Sequence, residues 1–169
     1  MSTDDLKQRV QAAIGKDSRA MTSMIAKQLG VPEAEVIRYL PDNRSTELDP
    51  KRAKELIEKF GALGKVHVIV NNGAVVLEAF GEFGGISITG PFLNVQTESL
   101  DMHIRQDLLA SVFAVEKPSH MDGVGTISFQ FFTPEGNAAF KVFLSFGAKP
   151  PTPERVTFFE SAKAGFKRQ

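Results

Sequence analysis

The apolar positions of this chain change period once, near residue 64. Before that point they recur every three or four residues, the spacing of one helix face. Leu6, Val10 and Ile14 form one such stripe, opened by Ser2 or Thr3 as a cap with Asp4 and Asp5 at the positive end of the helix dipole. The spacing predicts a second helix over Met21 to Leu29, closed by Gly30. Pro32 suits the first turn of a third helix, in which Val36, Ile37 and Leu40 point inward until Pro41 stops it. After a polar loop, Asp49 as cap and Pro50 as first helical residue open a fourth helix, which buries Ala53, Leu56, Ile57 and Phe60 and ends at Gly61 or Gly64.

From residue 65 the pattern alternates instead. Val66 to Val70 runs into Asn71, Asn72, Gly73, a tight-turn signal, and Ala74 to Phe80 returns as the second strand of a hairpin. Further strands are predicted over Ile86 to Ile88, Phe92 to Gln96, Leu100 to Arg105, Leu108 to Glu116, Thr126 to Phe132 and Ala139 to Phe146. The alternation is cleanest where Ile127, Phe129 and Phe131 oppose Thr126, Ser128 and Gln130, a pattern of one buried and one wet face. Leu108 to Val115 is apolar on both faces and reads as a central strand. Pro134, Glu135 and Gly136 close the last hairpin, and Thr152 and Pro153 start a terminal helix whose Val156, Phe159 and Phe166 are expected on the sheet. Such short connections make antiparallel hairpins rather than crossovers. The expected class is therefore α+β: helices over residues 1–63, then over 64–169 a mostly antiparallel sheet carrying a C-terminal helix, the two parts forming one folded unit.

Composition narrows the function more than the fold. Twenty basic and twenty acidic residues cancel, so the chain lacks the basic excess that phosphate binding rewards, and no nucleic-acid partner is expected. No apolar run is long enough to span a bilayer and no secretory leader is visible, so a cytoplasmic protein without a membrane partner is expected. The absence of cysteine excludes disulfides, thiolate nucleophiles and cysteine-type zinc sites, leaving histidine and carboxylate as metal ligands.

Most candidate chemistry has a plain alternative. Residues 22–40 have the look of a helix-turn-helix, yet Glu33 and Glu35 outnumber Arg38 on the helix that would face phosphates. No nucleophile elbow, P-loop or complete dinucleotide fingerprint occurs, so an enzyme is not expected. His120 and Asp122 read as a solvated loop tip, Glu78 and Glu82 as strand-end carboxylates, and His67 as a strand histidine satisfied by a neighbour. His103 differs. In the strand Leu100 to Arg105 it shares the outward face with Asp101 and Arg105, while Leu100, Met102 and Ile104 face the core. A histidine in that phase is either an idle surface residue or a ligand reaching into a cleft.

An ordered series of segments resembles the cytosolic heme-utilisation carrier family known as HutX or ChuX. Its pieces are Ile37 to Pro41, the hairpin strand Val75 to Glu82, the Gly90, Pro91, Phe92 step, the His103, Ile104 pair, Glu116 and Lys117, Phe131 and Phe132, Glu135 and Gly136, and Ala139 to Leu144. The resemblance implies a homodimer with sheet-lined clefts that holds heme as cargo and passes it to a heme-degrading enzyme or heme transporter. It also implies that His103 is the iron ligand, since this residue matches a coordinating histidine of the family. The companion histidine falls on Asn71, and an amide is a poor axial ligand. His67 lies four residues from it, about 13 Å along a strand, too far to replace it directly. Phe92 is expected to cover the porphyrin and Arg105 to meet a carboxylate of it. Two departures from the family pattern are Pro118 to Met121, with a small insertion, and Ser145, Phe146, Gly147 in place of a cationic end. The rival readings are a heme-independent structural or regulatory dimer on the same fold, a DNA-binding regulator using residues 22–40, and a heme-degrading enzyme of the related two-repeat type, of which this chain has one repeat's length.

Overall fold

The change of period separates two kinds of cover for one sheet. The structure is a computed structural model describing residues 2–169. Three helices come first: α1 (Thr3–Lys16), α2 (Thr22–Leu29) and α3 (Glu33–Arg38). Ser2 caps α1 by accepting from the Asp5 N–H, and α2 ends at Gly30, whose φ of 67° is the left-handed conformation that glycine tolerates best. Next come the strand β1 (Ser45–Leu48), a 3-10 turn (Pro50–Arg52) capped by Asp49, and α4 (Ala53–Lys59), followed by a second 3-10 turn (Phe60–Leu63). The alternating half supplies β2 (Lys65–Asn71), β3 (Val76–Glu82), β4 (Ser87–Thr89), β5 (Phe92–Gln96), β6 (Asp101–Arg105), β7 (Ser111–Pro118), β8 (Gly125–Phe132) and β9 (Ala138–Phe143). Helix α5 (Pro153–Phe166) closes the chain.

The strands form two sheets where one was expected. Six of them lie in the order β1-β7-β8-β9-β2-β3, and the other three, β4-β5-β6, make a separate small sheet. Every pairing is antiparallel, as the short connections predicted. One face of the large sheet, with Val66, Val68, Val112, Phe129, Phe131 and Val142, packs against α4, α5 and the inner face of the small sheet. Phe60 ties these layers together, its ring 5.2 Å from Phe83 edge-on and 5.4 Å from Phe129. Such pairs add about 0.5–1.5 kcal/mol each beyond the area they bury. The opposite face is covered only at its β7–β8 end, where Phe113, Val115 and Phe132 meet the buried stripes of α1, α2 and α3. Over β9, β2 and β3 that face is left open.

Several local expectations give way. The polar stretch before Asp49 contains β1, an edge strand held through backbone pairing with β7, so its sequence needs no apolar alternation and shows none. The expected helical segment thus contributes a strand to the sheet that follows it. Leu108 is exposed in a 3-10 turn (Gln106–Leu108) rather than inside a strand, and Val156 of α5 is exposed while Phe159 and Phe166 are buried. Ser128 and Gln130, read as a wet face, are 1% and 5% exposed, because they lie on the floor of a cavity walled by α2 and its flanking loops.

Candidate functional site

The cavity occupies the open part of the large sheet. Antiparallel register brings side chains into rows across it: Phe113, Gln130, Lys141, Ile69 and Glu78 in one, and Val115, Ser128, Phe143, His67 and Phe80 in the next. Apart from Phe113, which the helices bury, these rows form its floor; Met21, Thr22 and Ala26 of the α2 region, the loop from Ser119 to Asp122 and Phe146 line it as well. Its volume is about 1270 Å³. The wall loop includes His120 and Asp122, the pair expected at a solvated tip, and both are exposed.

Charge is unevenly matched inside it. Lys141 donates to Glu33 Oε1 at 2.6 Å, and the Thr22 hydroxyl donates to the same oxygen at 2.6 Å. Lys117 has no such partner: its Nζ donates to the carbonyls of Arg19 and Pro118 at 3.0 and 3.1 Å. Burial pushes this amine down to about 8; Asp17 opposes the shift, while Arg44 and Lys141 add to it. His67 is engaged at one nitrogen and covered on one face. Its Nε2 lies 2.9 Å from Glu78 Oε2, and the Phe80 ring stacks on its imidazole at 4.5 Å between centroids. The neighbour expected to satisfy this histidine is therefore Glu78.

The four expected heme contacts fall into two groups within one chain. Asn71, at the end of β2, lines the cavity, and its Oδ1 accepts from the Gly73 N–H at 2.8 Å to shape the hairpin turn. Phe92, His103 and Arg105 stand on the outer face of the small sheet and do not line that cavity. The cavity over the large sheet therefore does not take in His103. The small sheet turns Leu93, Val95 and Ile104 to the core, which leaves His103 on an exposed face among Gln96, Asp101 and Arg105. Arg105 already holds Asp107 through two hydrogen bonds of 2.8 and 2.7 Å, which keeps that carboxyl below the usual carboxylate range. Its guanidinium also lies 5.7 Å from the centre of the Phe92 ring.

His103 is exposed but held in place. Directly across the β5–β6 pair lies Asn94, 5% exposed, whose Oδ1 is 2.7 Å from His103 Nδ1. The two hydrogens of Asn94 Nδ2 go to Ser87 Oγ at 3.2 Å and Thr89 Oγ1 at 3.1 Å on β4. Turning the amide over would offer two donors to the single ring nitrogen, leaving a buried hydrogen without an acceptor. The bonding pattern therefore puts the imidazole proton on Nδ1. In the neutral ring the lone pair is then on Nε2, which has only Asp101 Oδ1 near it at 3.6 Å. The sequence shows Asn94 as a polar residue between two apolar ones, but its role depends on β5–β6 register, which the sequence does not state. Lys117 and Gln130 were likewise legible as positions without their cavity. Among the described residues no three histidines or carboxylates cluster as a metal site, and no helix is long and apolar enough to cross a membrane.

Comparison with known proteins places the chain in a family. The chain is 24% identical over 168 residues to the intracellular heme transport protein HutX of Vibrio cholerae, covering 98% of this chain and 86% of that one. Its fold matches a crystal structure of an Erwinia carotovora protein at a TM-score of 0.85, with 21% identity over 94% of this chain and 98% of the other. It also matches the structure of the heme-binding protein ChuX at 0.80, with 24% identity over 92% and 97% of the two chains. Residues 46–161 match the model of the family described as haem utilisation ChuX/HutX. With more than half its length inside that match, the chain belongs to the ChuX/HutX haem-utilisation family.

Proposed function

We propose that this protein binds heme as cargo and carries it, as a homodimer, to a heme-degrading or heme-transporting partner, with His103 Nε2 as the iron ligand. The observation that carries the reading is the 2.7 Å contact of His103 with Asn94, because an imidazole ligates iron through one nitrogen while a partner on the other fixes its tautomer and direction. Family membership and the description of HutX as a heme transport protein support heme as the cargo. A single imidazole also suits a carrier, which must hold heme against stray reactivity and still release it.

The second copy answers a deficiency of the first. The face around His103 is polar, with Ser87, Thr89, Gln96 and Asp101 and one aromatic ring, Phe92, whereas a porphyrin needs apolar cover. The same chain leaves Val75, Val76, Leu77 and Phe80 exposed on and beside the edge strand β3, which belongs to the other sheet. In the proposed dimer this hairpin of one copy covers the heme held by His103 of the other, and Asn71, at the start of the turn, sits close to the iron's far side. Arg105 meets a heme carboxylate only by leaving Asp107, an exposed pair that costs little to open.

Hemin titration followed by the Soret band tests this. His103→Ala is expected to abolish the shifted band, and Asn71→His to raise affinity by adding an imidazole opposite the first. Unchanged binding in His103→Ala refutes the assignment of the ligand, and no hemin binding by the wild type favours the heme-independent dimer. Carriage rather than degradation predicts that the complex, incubated with reductant, keeps its Soret band and yields neither verdoheme nor biliverdin.

A further inference from the structure

We propose that Asn94, oriented by the hydroxyls of Ser87 and Thr89, sets how firmly His103 holds heme: an amide rather than a carboxylate against Nδ1 keeps the imidazole a modest donor, so that the cargo can leave. The inference rests on the reading of His103 as the iron ligand and goes further, to the strength of that bond.

Three observations carry it. First, the group facing His103 is shielded from water. Asn94 is 5% exposed although it stands on the outer side of β5, where Ser87 of β4 and His103 of β6 flank it directly in register. At 2.7 Å its contact with Nδ1 lies at the short end of the range for an N–H donor and a carbonyl. Second, the surroundings of this side chain suit an amide and a carboxylate equally. Nδ2 donates to Ser87 Oγ at 3.2 Å and to Thr89 Oγ1 at 3.1 Å. A hydroxyl accepts or donates by turning its proton, so an aspartate of the same shape would find the same two hydroxyls as donors and the same Nδ1–H. What the amide changes is charge. Third, the basic residue of this face, Arg105, is already held by Asp107, so a carboxylate at position 94 would direct its charge at the imidazole. A charged acceptor makes a hydrogen bond roughly twice as strong as a neutral one, and an outer partner of that kind raises the basicity of a ligating histidine and lowers the potential of the iron it holds. The neutral amide gives the weaker setting, which suits a protein that must yield its cargo.

Release of hemin from the preloaded full chain to excess apomyoglobin, followed by absorbance, tests the proposal with two variants of opposite sign. Asn94→Asp should slow release about ten-fold or more and lower the ferric–ferrous midpoint potential. Ser87→Ala with Thr89→Val frees the amide to turn over and should speed release roughly three- to ten-fold, the effect of a lost neutral hydrogen bond. Damage to the fold would speed release in both, so the slowing in Asn94→Asp is the diagnostic result; if that variant does not fold, the hydroxyl pair alone decides. A readout without heme accompanies these: the His103 Nδ1 proton resonance should move downfield in Asn94→Asp, and the double variant should lose the single tautomer of the wild type. Release and potential unchanged in Asn94→Asp, or release and tautomer unchanged in the hydroxyl variant, overturn the proposal while leaving His103 as the ligand. Hemin held equally by wild type and His103→Ala would instead remove the ligand assignment, and this proposal with it.

Discussion

Two strand-borne histidines of this molecule have opposite fates, and their neighbours explain why. His67 lies in the large sheet beside a carboxylate on the adjacent strand; Glu78 engages its Nε2 and Phe80 covers its ring. His103 lies in the small sheet opposite a buried amide; Asn94 engages its Nδ1 and leaves Nε2 open. Both are paired across an antiparallel ladder and both hold one hydrogen bond shorter than 3 Å. The difference is which nitrogen the neighbour takes. Exposure differs as well, since the side chain of His67 under the Phe80 ring is 15% exposed and that of His103 57%, so proximity to a large cavity is a poor guide to ligand capacity.

Breaking this contrast at its strongest point should have the largest effect. His103→Ala is expected to reduce hemin affinity by at least about 100-fold, more than the ten- to hundred-fold typical of losing a ligand's outer hydrogen-bond partner. Equilibrium titration measures it. Asn94→Ala removes that outer partner and should cost about ten- to hundred-fold while leaving the iron coordinated. The Soret maximum should stay near that of the wild-type complex, at reduced occupancy. His67→Ala should leave hemin affinity unchanged and lose both the ring stack and the hydrogen bond to Glu78, about 1–3 kcal/mol of stability together. For a domain of this size that is a fall of a few degrees in Tm, read by calorimetry. The smallest effect sharpens the picture of the cavity. The folded state of Lys117 has its pKa lowered to about 8 from 10.5, so between those values the unfolded chain holds a proton that the folded chain has released. Stability should therefore gain from Lys117 as pH rises through that window. Lys117→Met should remove that gain in denaturant titrations at pH 7.5 and 10.

The helices and most strands were legible because each buries one continuous face. Leu6, Val10 and Ile14, or Ile127, Phe129 and Phe131, announce both the element and its inward side. The strand Ser45–Leu48 was not, because an edge strand is held by backbone pairing that side chains need not advertise. The split into two sheets was hidden for a related reason: strand pairing joins residues far apart in sequence, and alternation shows a strand's faces without naming its neighbour. The same limit applies at the site. The outward phase of His103 could be read from Met102 and Ile104, but the amide that orients it depends on the register Asn94 to His103. Ser128 and Gln130 look solvent-facing in sequence, and only the helices folded over that half of the sheet make them a buried floor.

The central claim is that His103 presents an unprotonated Nε2 to heme iron while His67 does not. Long-range proton–nitrogen correlation spectra of the two imidazoles, recorded before and after adding diamagnetic zinc protoporphyrin, test it directly. The account predicts that His103 carries its proton on Nδ1 in the apo protein, that its Nε2 resonance alone moves on binding, and that the His67 nitrogens stay in place. A His103 protonated on Nε2, or a metal-induced shift at His67 with none at His103, would contradict it.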